Sequence, residues 1–234
     1  MLRIGVPSKG RLMEGTIAWF GARGLVVEVD THAREYAGRI DGLDGLSLVL
    51  LPAGDITREL AAGGLHLGVT GSDLVHERLI DWPRQVVPWQ GLGFGGADLV
   101  LAVPSAWVDV ETVDDLDAVA AAFRAAHGHR LRIATKYHRL VRAFLAERGV
   151  ADYALVDSGG ATEGTVKNRM AEAVADITST GETLRANHLK ILEDGLIHRS
   201  QATLYLSRRA GWSRLHARLE ALSRRLGLSL PEGF

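Results

Sequence analysis

Short apolar runs that alternate with helical segments constrain this chain more than any other feature of its sequence. Residues 46–51 and 65–69 are two such runs, each long enough for a buried strand and each followed by a segment with helical periodicity. Parallel neighbouring strands need a crossover connection of this kind, so the alternation predicts βαβ units. The sequence therefore predicts an α/β fold.

The stretch that says most about function is residues 172–184, EAVADITSTGETL. Residues 173–177 have the texture of a buried strand, small and hydroxylic residues follow at 178–181, and a helical pattern covers 183–189. A turn of this kind between a strand and a helix is typical of an anion cradle, because N–H and hydroxyl donors converge there and glycine permits close approach. An ordinary strand–loop–helix junction is the alternative interpretation.

Two carboxylates near the turn argue against a site that binds phosphate alone. Asp176 immediately precedes the turn, and Glu172 lies four residues upstream, so the two share a face of the predicted strand. A carboxylate repels phosphate, but it can accept hydrogen bonds from the hydroxyls of a ribose. The combination predicts binding of a ribose 5-phosphate.

Composition narrows the classes of function. The chain has 234 residues, a net charge of −1 and no cysteine. The length suits one large domain or two small lobes, and the charge gives no sign of bulk attraction to nucleic acid or membrane. No signal peptide or membrane-spanning run is apparent, so a cytoplasmic location is expected. The nine histidines show no metal-binding spacing, so no protein-built metal site is expected.

Residues 172–184 resemble the phosphoribosyl pyrophosphate (PRPP) loop of the ATP phosphoribosyltransferase family. Five further segments fall in that family's order: SKGRL at 8–12, GDI at 54–56, GVTG at 68–71, RIATKY at 132–137 and LRANHL at 184–189. The similarity covers nearly the whole chain. It implies a type II periplasmic-binding-protein-like fold, with two lobes around a cleft and a chain that crosses between them twice.

The resemblance also implies lobe boundaries. Lobe one would comprise residues 1–92 and 183–234, and lobe two residues 93–182 with the PRPP loop. Residues 91–96 fit the dinucleotide-binding pattern G-x-G-x-x-G, but a predicted strand follows them instead of a helix. These glycines suit a hinge between lobes, and a dinucleotide-binding fold is rejected.

The site residues follow from the same resemblance. Those assigned to PRPP are the two acids and the loop: Glu172, Asp176, Thr178, Ser179, Thr180, Gly181 and Thr183. Those assigned to ATP and the cleft are Lys9, Arg11 and Glu163, and the catalytic arginines are Arg11 and Arg34. Arg39 is the alternative to Arg34 in the same polar loop.

The implied reaction joins ATP to PRPP, giving phosphoribosyl-ATP and pyrophosphate in the first step of histidine biosynthesis. Mg²⁺ would be bound mainly through substrate phosphates. Two alternatives remain open: a solute-binding module of the same two-lobed fold, and a purine- or orotate-type phosphoribosyltransferase. The latter proteins resemble one another in an adjacent acidic pair before the loop, whereas Asp176 stands alone here.

The last part of the chain predicts an edge strand over 197–206 and a terminal helix over 213–226. The tail after them looks too short for another core, so the chain resembles the family's short form. That form implies a homo-oligomer together with a histidyl-tRNA-synthetase-like regulatory subunit. The helix carries a stripe that either packs on its own lobe or forms a docking face: Leu215, Leu219, Leu222 and Leu226.

Overall fold

A computed structural model describes residues 1–29, 37–158, 162 and 164–234. The strands are β1 (Leu2–Pro7), β2 (Val26–Val29), β3 (Ala37–Asp41), β4 (Leu46–Leu51), β5 (Leu67–Gly71), β6 (Val86–Gly91), β7 (Ala97–Pro104), β8 (Leu131–Thr135), β9 (Tyr153–Asp157), β10 (Ala173–Thr178), β11 (Leu189–Ser200) and β12 (Ala202–Ser207). The helices are α1 (Gly10–Gly21), α2 (Ala53–Ala62), α3 (Ser72–Arg78), α4 (Val113–His127), α5 (His138–Glu147), α6 (Gly164–Lys167), α7 (Glu182–Ala186) and α8 (His216–Leu226).

The chain forms two compact units and crosses between them twice. Unit 1 comprises Met1–Gly96 and Gln201–Phe234, and unit 2 comprises Ala97–Ser200. The predicted α/β class and the two crossings are confirmed. The predicted lobe boundaries differ from these units over residues 93–96 and 183–200, and the boundaries of the functional lobes stay a prediction.

Unit 1 is built on a seven-stranded sheet in the order β2-β3-β4-β1-β5-β12-β6. Strand β1 lies between β4 and β5 and is parallel to both. The carboxyl ends of these three strands therefore meet at one edge, where the turns into α1, α2 and α3 begin. Ligand sites of open α/β sheets occur at such edges.

The leucine stripe of α8 belongs to the core of unit 1. Leu219 and Leu222 are fully buried, Leu226 is 3% exposed and Leu215 is 9% exposed. They pack in one apolar cluster with residues of β1 such as Ile4. Because these side chains are covered, the stripe holds the helix on its own unit and is not a docking face.

Unit 2 is built on a five-stranded sheet in the order β11-β7-β10-β8-β9. Strand β10 is central, antiparallel to β7 and parallel to β8. Its first three residues, Ala173, Val174 and Ala175, are fully buried. This burial explains the apolar run in the sequence and gives the loop after β10 a rigid support.

Three predicted elements need correction. The single edge strand over 197–206 is two strands, and β12 lies inside the sheet of unit 1 between β5 and β6, with all six residues buried. The glycine-rich segment before residue 45 contains β3, which pairs with β2 and β4. The helix over 183–189 is only α7, because His188 adopts a positive φ of 57° and Leu189 starts β11.

Candidate active site

The loop of unit 2 follows the carboxyl end of β10 and is held by its own threonine hydroxyls. The Gly181 N–H donates to Thr178 Oγ1 at 2.8 Å, and the Glu182 N–H donates to Thr180 Oγ1 at 3.3 Å. A hydroxyl oxygen that accepts from the backbone keeps its own proton for another acceptor. The two threonines are therefore prepared to act as donors to a ligand oxygen.

Gly181 is the conformational centre of this loop. Its φ is 73°, in the left-handed region where a side chain is disfavoured. A Cβ added there would lie 2.9 Å from Arg185 Nη1 and 3.5 Å from Ile191 Cδ1. The backbone turn and the close neighbours together explain why the sequence has glycine here.

Asp176 lies at the loop end of β10 and is half-buried. Its Oδ1 accepts a hydrogen bond from the Ile177 N–H at 2.9 Å. Thr178 follows two residues later, so on a strand its side chain shares a face with that of Asp176. The structure thus brings the predicted carboxylate and the first loop hydroxyl to the same side of the sheet.

Glu172 lies at the other end of β10, about 13 Å along the strand from Asp176 at the usual rise per residue. Its Oε1 accepts from Arg132 Nη2 at 2.5 Å, and its Oε2 accepts from Arg132 Nε at 3.1 Å and from the Arg132 backbone N–H at 2.7 Å. Arg132 Nη2 also donates to the Arg169 carbonyl at 3.1 Å. The Glu172 carboxylate is therefore already engaged in joining β8 to β10.

The ionisation of Glu172 reflects this pairing. Burial by itself would raise the pKa of the carboxyl, but the side-chain and backbone hydrogen bonds from Arg132 outweigh it, and the pKa lies below its usual value. The side-chain hydrogen bond with Glu172 in turn raises the pKa of Arg132. The pair is charged at neutral pH and contributes to the stability of unit 2.

A second candidate turn lies in unit 1 between β1 and α1. Lys9 and Arg11 flank Gly10 there, and both side chains are exposed. Lys9 is the N-cap residue of α1 and provides no side-chain capping hydrogen bond, and the first turn of the helix has no acidic residue. The turn is thus a concentration of positive charge beside a helix N-terminus, where the first backbone N–H groups have no partner within the helix, and this arrangement favours an anion.

Neighbouring turns at the same edge of unit 1 are polar. The Ser8 N–H donates to the Leu51 carbonyl at 2.9 Å, which joins the turn after β1 to the end of β4. The Thr70 hydroxyl donates to the Ala53 carbonyl at 2.9 Å, and Asp73, in the first turn of α3, is buried. Hydrogen bonds therefore connect the turns at this edge of the sheet, and they support the basic turn formed by Lys9, Gly10 and Arg11.

Some predicted site residues fall elsewhere. Arg34 and Glu163 lie outside the described residues, and Arg39 lies in β3 with its side chain likewise outside the description. Thr183, in the first turn of α7, is exposed, and so are Ser179 and Thr180. The structure brings the loop residues and Asp176 together in unit 2. Lys9 and Arg11 lie together in unit 1, and Glu172 is hydrogen-bonded to Arg132 at the other end of β10. The roles of all these residues stay predictions.

Sequence reasoning missed Arg185, whose Nη2 donates to the Thr180 carbonyl at 2.9 Å. The only signal was its position, four residues after Gly181.

Among the described residues, no three His, Asp or Glu side chains form a group that could hold a metal ion. None of the helices in the described ranges has both the length and the apolar character needed to cross a bilayer.

Comparisons with known proteins agree on one family. A model of the family described as ATP phosphoribosyltransferase matches residues 52–227. A protein of Cereibacter sphaeroides named ATP phosphoribosyltransferase is 68% identical over 231 residues, covering 99% of this chain and 98% of the relative. One of a Bradyrhizobium species with the same name is 53% identical over 212 residues, covering 91% of this chain and 65% of the relative. This chain thus spans just under two thirds of that longer relative.

Solved structures confirm the fold. The ATP phosphoribosyl transferase (HisG:HisZ) complex from Thermotoga maritima contains a chain with a TM-score of 0.72 and 19% identity, covering 97% of both chains. A probable amino-acid ABC transporter extracellular-binding protein from Bacillus subtilis, YtmK, has a TM-score of 0.50 and 8% identity, covering 97% of this chain and 90% of the other. The predicted type II periplasmic-binding-protein-like fold is confirmed.

Proposed function

Because this chain belongs to the ATP phosphoribosyltransferase family, we propose how its residues carry out that family's reaction. N1 of ATP joins C1 of PRPP, giving phosphoribosyl-ATP and pyrophosphate in the first step of histidine biosynthesis, so the enzyme is a glycosyltransferase. The bond between N1 and C1 forms while the bond from C1 to pyrophosphate breaks, and the bonding electrons leave with pyrophosphate. Both substrates are cytoplasmic metabolites, so we propose that the chain works in the cytoplasm.

The reaction requires the two substrates to be positioned more than it requires proton transfer. N1 of adenine has a lone pair and no proton at neutral pH, so its attack needs no general base. Positive charge develops on the purine and negative charge on the departing pyrophosphate. Catalysis then consists of holding the two reactants in line and stabilising charge as it moves.

The loop of unit 2 is the proposed site of the PRPP 5-phosphate. The hydroxyls of Thr178 and Thr180 accept from the backbone and so have their protons free to donate to phosphate oxygens. Ser179 and Thr183 are exposed neighbours that add donors, and Gly181 admits the phosphate closely. Helix α7 has only five residues, so we assign the binding to hydroxyls and turn geometry, not to a long helix dipole.

Asp176 is the proposed acceptor for a ribose hydroxyl, since it is half-exposed at the loop end of β10. Glu172 was predicted to share this task. Its contacts with Arg132 favour a supporting role, in which it fixes β10 against β8 from the opposite end of the strand. The direct diol contact is therefore proposed for Asp176 alone.

The basic turn of unit 1 is the proposed site for nucleotide or pyrophosphate oxygens. Lys9 and Arg11 are exposed there, and the chain as a whole carries a net charge of only −1. Binding two polyanions with so little overall charge requires local concentration of cations. Arg34, with Arg39 as the alternative, and Glu163 complete the proposed set.

Mg²⁺ fits the donor set of the loop, because hydroxyl and carboxylate oxygens are the ligands that this hard cation accepts. We propose that substrate phosphates hold it chiefly, and that Asp176 is the protein carboxylate beside them. When bound, the ion neutralises phosphate charge and favours the departure of pyrophosphate.

A regulatory subunit is the proposed partner. The Thermotoga maritima complex pairs its two named components, and this chain has the fold of the matched one. We propose a homo-oligomer that binds a histidyl-tRNA-synthetase-like subunit, with histidine acting through that subunit. Turnover of the chain alone should be insensitive to histidine, and adding the partner should introduce inhibition. Strong inhibition of the isolated chain would contradict the proposal.

The observation that carries this assignment is the threonine-bonded loop directly after Asp176. The test supplies the purified chain with PRPP and either ATP, adenine, hypoxanthine or orotate, and identifies products by mass spectrometry. We expect phosphoribosyl-ATP with ATP and no nucleotide from the free bases. Turnover of a free base instead would favour the purine- or orotate-type alternative, and PRPP binding with no product in any arm would favour a solute-binding module.

A further inference from the structure

The phosphoribosyl loop of unit 2 contains a peptide group that is held at both ends. The peptide between Thr180 and Gly181 donates through its N–H to Thr178 Oγ1 at 2.8 Å. Its carbonyl, that of Thr180, accepts from Arg185 Nη2 at 2.9 Å. The orientation of this one peptide plane therefore depends on two side chains.

Glycine makes that peptide easy to rotate. Gly181 has a φ of 73°, yet a residue without Cβ adopts positive and negative φ with similar ease. Rotation of the peptide plane would turn the carbonyl toward the side on which the loop donors lie, where an anion would meet an acceptor. A loop that binds phosphate through this turn needs a group that keeps the carbonyl turned away.

Arg185 is placed to do so. The Gly181 carbonyl accepts from the Arg185 backbone N–H at 3.0 Å, so the same residue fixes two consecutive carbonyls of the loop. Arg185 also lines a cavity of about 350 Å³ together with Gly181 and Ile191. Its charged donor makes a stronger hydrogen bond to a carbonyl than a neutral donor would.

We propose that Arg185 is a positioning residue that locks the Thr180–Gly181 peptide in the orientation competent for PRPP. This inference rests on the proposed binding of phosphate by the loop. It assigns Arg185 no contact with substrate: the guanidinium faces the carbonyl, and the threonine hydroxyls face the phosphate. The residue acts on PRPP affinity through the loop and leaves the ATP side of the reaction unchanged.

The test compares Arg185→Ala and Arg185→Lys with Arg142→Ala, which removes an exposed arginine from α5 elsewhere in unit 2. We expect Arg185→Ala to raise KM for PRPP about tenfold, the effect of losing roughly one charge-assisted hydrogen bond. KM for ATP and kcat should change less than about twofold. Lysine should recover part of the loss, since it keeps one donor, and Arg142→Ala should match the wild type.

Ionic strength separates locking from simple attraction. If the guanidinium locks the peptide, the ratio of variant to wild-type KM for PRPP persists when salt is raised to about 0.5 M, where exposed charges are screened. Amide hydrogen exchange should also quicken at the Gly181 N–H in Arg185→Ala. A ratio that collapses at high salt, or a KM for PRPP equal to that of the wild type, overturns the inference.

A parallel measurement with Gly181→Val distinguishes this inference from the proposed function. If that variant loses PRPP binding while Arg185→Ala binds PRPP normally, the loop remains the phosphate site and only the role of Arg185 is wrong. If Gly181→Val binds PRPP normally, the phosphate does not bind at the loop, and both proposals fail.

Discussion

The turn after β1 in unit 1 and the loop after β10 in unit 2 both follow buried strands, yet they prepare for an anion in opposite ways. The first carries the charges of Lys9 and Arg11, and its helix has neither a capping side chain nor an acid in the first turn. The second is built from neutral hydroxyls that already bond its own backbone. The turn after β1 would attract an anion by charge, whereas the loop after β10 is already ordered before an anion binds.

The difference bears on what each site can recognise. Two cations beside a helix N-terminus are unfavourable to the helix itself, and we propose that this turn gives up local stability to attract a polyanion. Hydroxyl donors fixed by backbone hydrogen bonds recognise the shape of a single phosphate and lose little entropy on binding. We therefore expect substitutions in the loop to act mainly on PRPP affinity, and substitutions in the basic turn to act mainly on turnover.

The largest effect is expected for Gly181→Val. A β-branched residue at a φ of 73° is strained, and its Cβ would lie 2.9 Å from Arg185 Nη1, so the loop must rearrange. PRPP binding measured by calorimetry should be lost, and turnover should fall by at least about 100-fold, the loss of a few kcal/mol. The matched control is Gly149→Val, at a φ of 76° with open space around the Cβ. Equal loss of PRPP binding in both variants would contradict a local effect.

Arg11→Ala should follow, with turnover reduced about 10- to 100-fold because a charge-assisted contact is lost. Arg34→Ala should reduce turnover in the same direction. Lysine at either position should recover only part of the rate, since a point charge does not replace a guanidinium that binds two oxygens. Full activity of both lysine variants would mean that the turn supplies charge alone.

Asp176→Asn should weaken PRPP binding about 10- to 100-fold, since losing a charged acceptor costs about 1.5–3 kcal/mol. The melting temperature should change little, because the side chain is only half-buried. Calorimetry with PRPP and thermal unfolding check the two parts. An unchanged PRPP affinity in the folded variant would remove Asp176 from the site.

Glu172→Gln should give the smallest functional effect and a measurable loss of stability. Removing the charge from its hydrogen-bonded pair with Arg132 should cost on the order of 1–2 kcal/mol, about 2–8 °C in Tm for a chain of this size. PRPP affinity should stay within about twofold of the wild type, well under 1 kcal/mol. A large loss of PRPP affinity with no loss of stability would restore Glu172 as a ribose ligand.

The pH dependence of that stability difference follows from the pKa of Glu172. Because the folded state lowers this pKa below its usual 4.5, the stabilisation is fully present above about pH 4.5. It is lost as the pH falls through the folded pKa. The Tm difference between wild type and Glu172→Gln should therefore be constant near neutral pH and shrink in acid, and a difference that grows in acid would contradict the pairing.

Local patterns predicted a large part of the fold. The strands β1, β4 and β5 are apolar because both faces of a parallel sheet are covered, and this burial is visible in the sequence as near-continuous apolar runs. The error at residues 197–206 has a different origin: β11 and β12 are separated by Gln201 alone, so no loop marks the point where the chain leaves one unit for the other. Which sheet a strand joins depends on long-range pairing that no local pattern encodes.

The candidate site was predictable to a similar extent. The hydroxyls and glycine of the loop are visible as residue types, so the sequence alone suggested an anion cradle. The engagement of Glu172 depends on Arg132, 40 residues away on a neighbouring strand. The hydrogen bond from Arg185 to the Thr180 carbonyl spans only five residues, but it needs the backbone turn at Gly181, whose φ is 73°. The first contact requires knowledge of which strands become neighbours, and the second requires knowledge of the loop conformation.

Above all, we propose that the loop after β10 binds the phosphate of PRPP through its hydroxyls and turn. Titrating isotope-labelled protein with ribose 5-phosphate, and following backbone amide resonances, tests it most directly. We expect the largest shifts to cluster at Thr178, Ser179, Thr180 and Gly181, and Gly181→Val to abolish them. Shifts confined to the turn at Lys9 and Arg11, with the loop amides unmoved, would contradict it.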